Sequence, residues 1–220
     1  MKLNWLKYTA LPVALLMAGT VAIAQEQSSS QGSSGSSTQS STPAQKPDPT
    51  IAQRKENQQD RIAQGVKSGQ LTAGETANLE SKEAAINGET KADRAANGGK
   101  LTSAEKQQVN QQQNQLSKQI YQDKHNAATQ NSGNSEVGQR QKNQQQRIAN
   151  GIKSGQLTAG ETAKLENQQR GINQQVKADR AANGGKLTSG EKQQVNKEQN
   201  QASKNIYNKK HNGKTQPKSK

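Results

Sequence analysis

Six carboxylates recur where a metal ion or an acid–base pair could use them. Glu75, Glu105, Glu161 and Glu191 each close a Gly-x-Leu-Thr-x-x-Glu element, and Asp93 and Asp179 precede two of these elements. His125 and His211 occupy matched places in Lys-His-Asn triplets. The chain has no cysteine, which excludes thiolate zinc sites, thiol catalysis and disulfide bridges. Neither histidine has a second His or a Cys within ligand spacing, so each reads as a cation near a helix C-terminus, where the macrodipole favours it. Ser, His and Asp all occur, but no nucleophile sits in a strand–turn–helix context. With 27% hydrophobic residues the chain also lacks apolar walls for a dry cleft. The reading is therefore non-enzymatic, with a hydrolase of envelope material as the enzymatic rival.

The recurrent element carries a structural use beside the chemical one. Thr72, Thr102, Thr158 and Thr188 are N-cap residues by spacing, and the Glu three positions on completes a capping box that satisfies two orphan amides reciprocally. Gly69, Gly99, Gly155 and Gly185 stand where the preceding helix would end in a left-handed residue. Four such signatures in register mark four helix starts.

The element also resembles the second half of an EF-hand loop, in which Gly at position six is followed by an apolar residue at eight and a bidentate Glu at twelve. Gly69, Leu71 and Glu75 fit that spacing, as do Gly99, Leu101 and Glu105. The ligand half does not follow. Positions one, three and five fall on Gln64, Val66 and Ser68 in the first loop, and on Arg94, Ala96 and Gly98 in the second. Asp93 and Asp179 lie one residue early. Calcium needs six to eight oxygens, so one carboxylate per loop predicts no calcium and no other cofactor. An EF-hand-like calcium-binding protein is kept as an alternative reading.

Charge is the other chemical resource. The chain holds 31 Lys+Arg against 17 Asp+Glu. Gln53–Gln130 and Gln139–Gln216 align without a gap at an offset of 86 residues, with about 55 of 78 positions identical. The first copy has 11 basic and 9 acidic residues, the second 15 and 5. Glu56 becomes Lys142, Glu83 becomes Gln169, Ala84 becomes Arg170 and Asp123 becomes Lys209, differences read as exposed changes of charge rather than shape. Arg140, Lys142, Arg147, Lys164, Arg170, Lys209 and Lys210 are the candidate contacts to a polyanion such as an anionic envelope polymer. Near absence of stacking aromatics argues against sequence-specific nucleic-acid recognition.

The elements that must position these residues follow from the same pattern. Met1–Ala24 has a basic start, an apolar run and the small residues of Ala22-Ile23-Ala24, which is a secretory signal; the run is too short to span a bilayer. Residues 25–50 form a Ser/Gly/Gln/Pro tract with almost nothing to bury, read as a disordered tether. A helical repeat over 51–130, a polar hinge over 131–138, a second repeat over 139–216 and a basic tail at 217–220 complete the chain. Each repeat parses into three helices, in the first copy about Ala52–Lys67, Thr72–Asn97 and Thr102–Asn126. Ile62, Val66, Leu71, Leu79, Ile86, Leu101, Val109, Leu116, Ile120 and Tyr121 would close a thin core, with Gln, Asn or Ala where apolar side chains are usual.

The fold class is thus all-α, two tandem three-helix (helix–loop–helix) modules behind a disordered N-terminal linker. The repeated stretches, here Arg61–Glu75 and Ala92–Glu105, resemble uncharacterised bacterial exported repeat proteins with degenerate EF-hand-like GxLTxxE units. That resemblance implies export and modular helices and brings no activity with it. The expected function is an interaction module in the periplasm or outside the cell, with no membrane span after signal cleavage. A hydrophilic stress protectant is the further alternative.

Overall fold

The computed structural model describes residues 50–216, which form six α-helices and, among the described residues, no strand. Residues 1–24, read as a secretory signal, the stretch up to residue 49 read as a tether and the tail at 217–220 lie outside the described residues. The helices are α1 (Ile51–Ser68), α2 (Ala73–Ala96), α3 (Ser103–Lys124), α4 (Glu136–Lys153), α5 (Ala159–Ala182) and α6 (Ser189–Lys210). None of them is long and apolar enough to cross a membrane.

Capping chemistry sets the boundaries. Thr72, Thr102, Thr158 and Thr188 are the N-caps of α2, α3, α5 and α6, each reciprocated by the Glu at the third helical position. Thr50, read as the end of the tether, caps α1 with a box completed by Gln53. Gly69 ends α1 at φ 74°, a left-handed conformation that costs glycine little.

The hinge is shorter than the sequence suggests. Ser135 caps α4, which begins at Glu136 inside the span read as hinge. The chain folds back so tightly that a Cβ on Gly138 would lie 1.8 Å from the Ser132 carbonyl oxygen. Only glycine fits there. The matched residue in α1 is Ala52, which is exposed.

Packing pairs like with like. The most extensive helix contact is α2 on α5, followed by α1 on α4, while α3 and α6 cover their own copy's other two helices. The pairing is reciprocal, as in an isologous interface. A Cβ at Gly74 would meet Arg170 Cδ at 3.2 Å, and one at Gly160, the matched position, would meet Ala84 Cβ at 3.9 Å. The main core runs through both copies, from Ile62, Leu71, Leu79 and Ile120 to Ile148, Leu157, Leu165 and Ile206. Val137, Ile172, Val176, Leu187, Val195 and Ala202 form a smaller separate cluster at the far end of the second copy. At the matched end of the first copy, Leu116 in place of Ala202 belongs to the main core.

Two sequence expectations about burial change. Tyr121 is 60% exposed rather than part of the core, because its ring stacks on His125 at the end of α3. Glu83 and Gln169, read as an exposed charge difference, are both buried.

The tight hinge turn makes a direct prediction. Gly138→Ala should destabilise the folded chain by about 1–3 kcal/mol through backbone displacement, whereas Ala52→Gly should cost about 1 kcal/mol or less from helix propensity alone. Urea unfolding of both variants checks this; equal losses would contradict the close approach.

Candidate functional site

The carboxylates proposed for metal binding are occupied as caps. Glu75 Oε2 accepts from the Thr72 amide at 2.9 Å and from its hydroxyl at 2.8 Å, while Oε1 accepts from Asn126 at 2.7 Å. Glu161 repeats this with Thr158 and Asn212. Glu105 and Glu191 accept from the amides of Thr102 and Thr188 and from Asn97 and Asn183. These backbone hydrogen bonds hold the Glu105 and Glu191 carboxyls below the usual range. Asp93 moves the other way, raised by desolvation and then by Glu105 and Glu89. Asp179 has one carboxylate oxygen enclosed without a partner. Among the described residues no three acidic or histidine side chains converge as a ligand set.

His125 and His211 serve their own helices. Each caps its helix, stacks on the Tyr four residues earlier with ring centroids 4.2 Å apart, and places Nδ1 2.7 Å from that tyrosine's carbonyl oxygen.

The basic candidates divide by environment. Arg140 reaches Asn196 and Asn200 on α6, and Arg147 donates to the Ser203 carbonyl at 3.1 Å, so both brace the second copy. Lys210 lies beside Arg147, and burial followed by that neighbouring charge lowers its pKa. Lys209 lies close enough to Glu161 to favour its ionised form. Lys142 donates to Asn134 at 3.3 Å and remains exposed, as do Lys164 and Arg170. Arg170 lies over Gly74 and lines a groove with Lys177 and Arg180, two cations that the sequence reading did not select. Both belong to the stretch shared by the two copies, so comparing the copies gave no sign of them.

The most perturbed groups are buried carboxyls. Glu80, Glu83 and Glu166 are fully buried. Gln59 donates to Glu80 Oε2 at 3.1 Å, and Gln145 to Glu166 Oε2 at 2.8 Å. Gln216, at the end of the second copy, donates to Gln59 at 2.7 Å and ties that chain end to α1. One oxygen on each of the three carboxyls has no partner. Desolvation pushes Glu80 up to about 8, opposed by the Gln59 bond and reinforced by the charges of Glu83 and Glu166. Glu166 is pushed up to about 8 by the same burial. Burial raises Glu83 to about 7, opposed by the Lys55 charge and then by the bond from Asn87. In the second copy Lys55 and Glu83 are replaced together by Gln141 and Gln169. A signal for Glu80 was present in the sequence: Leu79-Glu80 survives unchanged beside positions 81–85, all of which differ between copies.

No family model matches this chain, and neither a curated protein nor a solved structure matches it.

The buried carboxyls impose a pH dependence whose sign is fixed. Their folded pKa values exceed those of the unfolded chain, so the folded state holds protons that unfolding releases. Stability should be greatest near pH 5 and decline as pH rises towards about 8. Glu80→Gln with Glu166→Gln should flatten that decline and raise the melting temperature at pH 8 by several degrees, about what 1–2 kcal/mol provides. Thermal melts across this range check it; an unchanged slope in the double variant would contradict it.

Proposed function

We propose that the chain is an exported, non-enzymatic helical repeat protein of two three-helix modules, acting as an interaction module for an anionic envelope polymer without a cofactor. Export rests on the Met1–Ala24 pattern, and residues 25–49 would tether the helices. The observation that carries the polyanion reading is the divergence between copies. From an almost balanced 11 basic and 9 acidic residues, the second copy moves to 15 and 5 while keeping its helices and caps. Lys142 and Lys164 stand exposed on α4 and α5, at positions held by Glu56 and Asn78 in the first copy. Charge added on solvent faces leaves packing intact and raises attraction to phosphate-bearing or carboxylate-bearing polymers. Individual contacts of this kind are weak and screened by salt, so their number matters more than any one of them.

The residues with perturbed chemistry have structural uses, which supports binding over catalysis. Cap carboxylates satisfy helix amides, and Glu80 and Glu166 are enclosed between helices.

Returning three positions to their first-copy identities tests the reading. Lys142→Glu, Lys164→Asn and Lys209→Asp together should weaken binding to vesicles containing lipopolysaccharide at least about tenfold at low salt, and reduce the salt slope. Co-sedimentation from about 50 to about 500 mM sodium chloride provides the measurement. Absence of salt-sensitive binding by the unmodified chain would overturn the proposal.

A further inference from the structure

The groove beside Arg170 exists only because the two copies pack together. One wall is the N-terminal turn of α2, with Thr72 and Gly74; the opposite wall is α5, with Arg170, Lys177 and Arg180; Ser132 of the connecting segment completes it. Its volume is about 490 Å³, and no carboxylate lines it. We infer that this groove is a binding site for a phosphomonoester group. The inference rests on the polyanion reading above and gives it a defined location and ligand chemistry.

Three observations support it independently. Arg170 crosses Gly74 so closely that a Cβ there would lie 3.2 Å from Arg170 Cδ. A guanidinium stem is thereby held against the positive end of a helix whose Thr72, Ala73 and Glu75 amides already bond Glu75, Gln130 and Thr72, and the remaining dipole disfavours the cation and favours an anion beside it. Secondly, the cations lining the groove meet no carboxylate in its walls. Arg170 and Lys177 make no ion pair among the described residues, and Arg180 is steadied by a 3.1 Å bond to the Ser135 hydroxyl. The Ser132 hydroxyl is enclosed, with that residue 8% exposed, and has no partner. Thirdly, among the described residues the matched surface on the other side of the helix pair has no arginine at the position of Arg170. Gly160 faces Ala84 there, with a Cβ-to-Cβ distance of 3.9 Å. Of the two related surfaces, one carries Arg170 where the other carries Ala84.

The Arg170 fork with Lys177 suits a compact dianion with tetrahedral oxygens better than a single carboxylate, because the fork can hold two oxygens and the ammonium a third. The phosphate could be free, as a soluble monoester, or carried on a lipid headgroup.

Amide and arginine side-chain NMR shifts of the whole chain on titration with inorganic phosphate test the site, with vesicles containing phosphatidic acid as the lipid-borne arm. Saturable shifts at Gly74, Ser132 and Arg170 are expected, and Arg170→Ala with Lys177→Ala should weaken binding by about tenfold or more. Lys197→Ala, an exposed charge on α6, should change it less than about twofold. Ala84→Arg should bring phosphate-dependent shifts to Gly160. Groove shifts with phosphate indicate the soluble source, and vesicle binding lost in the Arg170/Lys177 variant indicates the lipid source. If that variant loses no more than Lys197→Ala, the groove is not the site, even where salt-sensitive vesicle binding upholds the general reading. If the unmodified chain binds neither probe, both fail.

Discussion

Apolar side chains are sparse in both copies, and the packing of α2 on α5 and α1 on α4 joins most of them into one core. Ile62, Leu71 and Leu79 of the first copy and Ile148, Leu157 and Leu165 of the second belong to one core. Burial rises with the size of the enclosed unit, so a joined pair removes a larger fraction of its apolar surface from water than two separate bundles would. At the crossing Gly74 lies under the Arg170 side chain and Gly160 faces Ala84. Close approach requires the connection between α3 and α4 to turn back at once. Ser132 and Gly138 make that turn, and a Cβ on Gly138 would come closer to backbone than one on any other described glycine.

A core built this way carries polar groups that need partners. Gln58 donates to the Gln113 carbonyl at 2.6 Å, and Gln113 returns a bond to the Ile51 carbonyl at 2.9 Å; Gln144, Gln199 and Val137 repeat the arrangement. Amides thus replace aliphatic contacts and fix the register of α1 against α3 and of α4 against α6. Enclosed carboxyls cost more than amides, since a charge without a close cation is poorly solvated in the interior. Holding a proton removes that cost, which is why Glu80 and Glu166 retain theirs well above the ordinary carboxylate range. The joint replacement of Lys55 and Glu83 by Gln141 and Gln169 obeys the same electrostatics: losing one charge alone would strand the other.

Local signals were legible in the sequence and long-range ones were not. Capping boxes are contained within four residues, so Thr72 and Glu75 could be assigned from spacing alone, and the structure has all four boxes. The α4 start was hidden because its cap, Ser135, has no Glu or Gln three residues on, only Gly138. Tyr121 followed the apolar rhythm of α3 yet faces solvent, since stacking on His125 is local and competes with burial. Burial of Glu83 could not be read from composition, because a Glu-to-Gln difference looks the same on a surface and in a junction. Lys177 and Arg180 gained significance only once Thr72–Gly74 was placed opposite them, a juxtaposition across about 100 residues that no periodicity encodes.

A core shared in this way makes the two copies fold as one cooperative unit. Native-state hydrogen exchange of the whole chain carrying Leu79→Ala tests it most directly. A cavity in the first copy should lower protection of the slowest amides in α4 and α5 by the same free energy as in α1 and α2. Loss of protection confined to α1, α2 and α3, with α4 to α6 unchanged, would contradict the shared core.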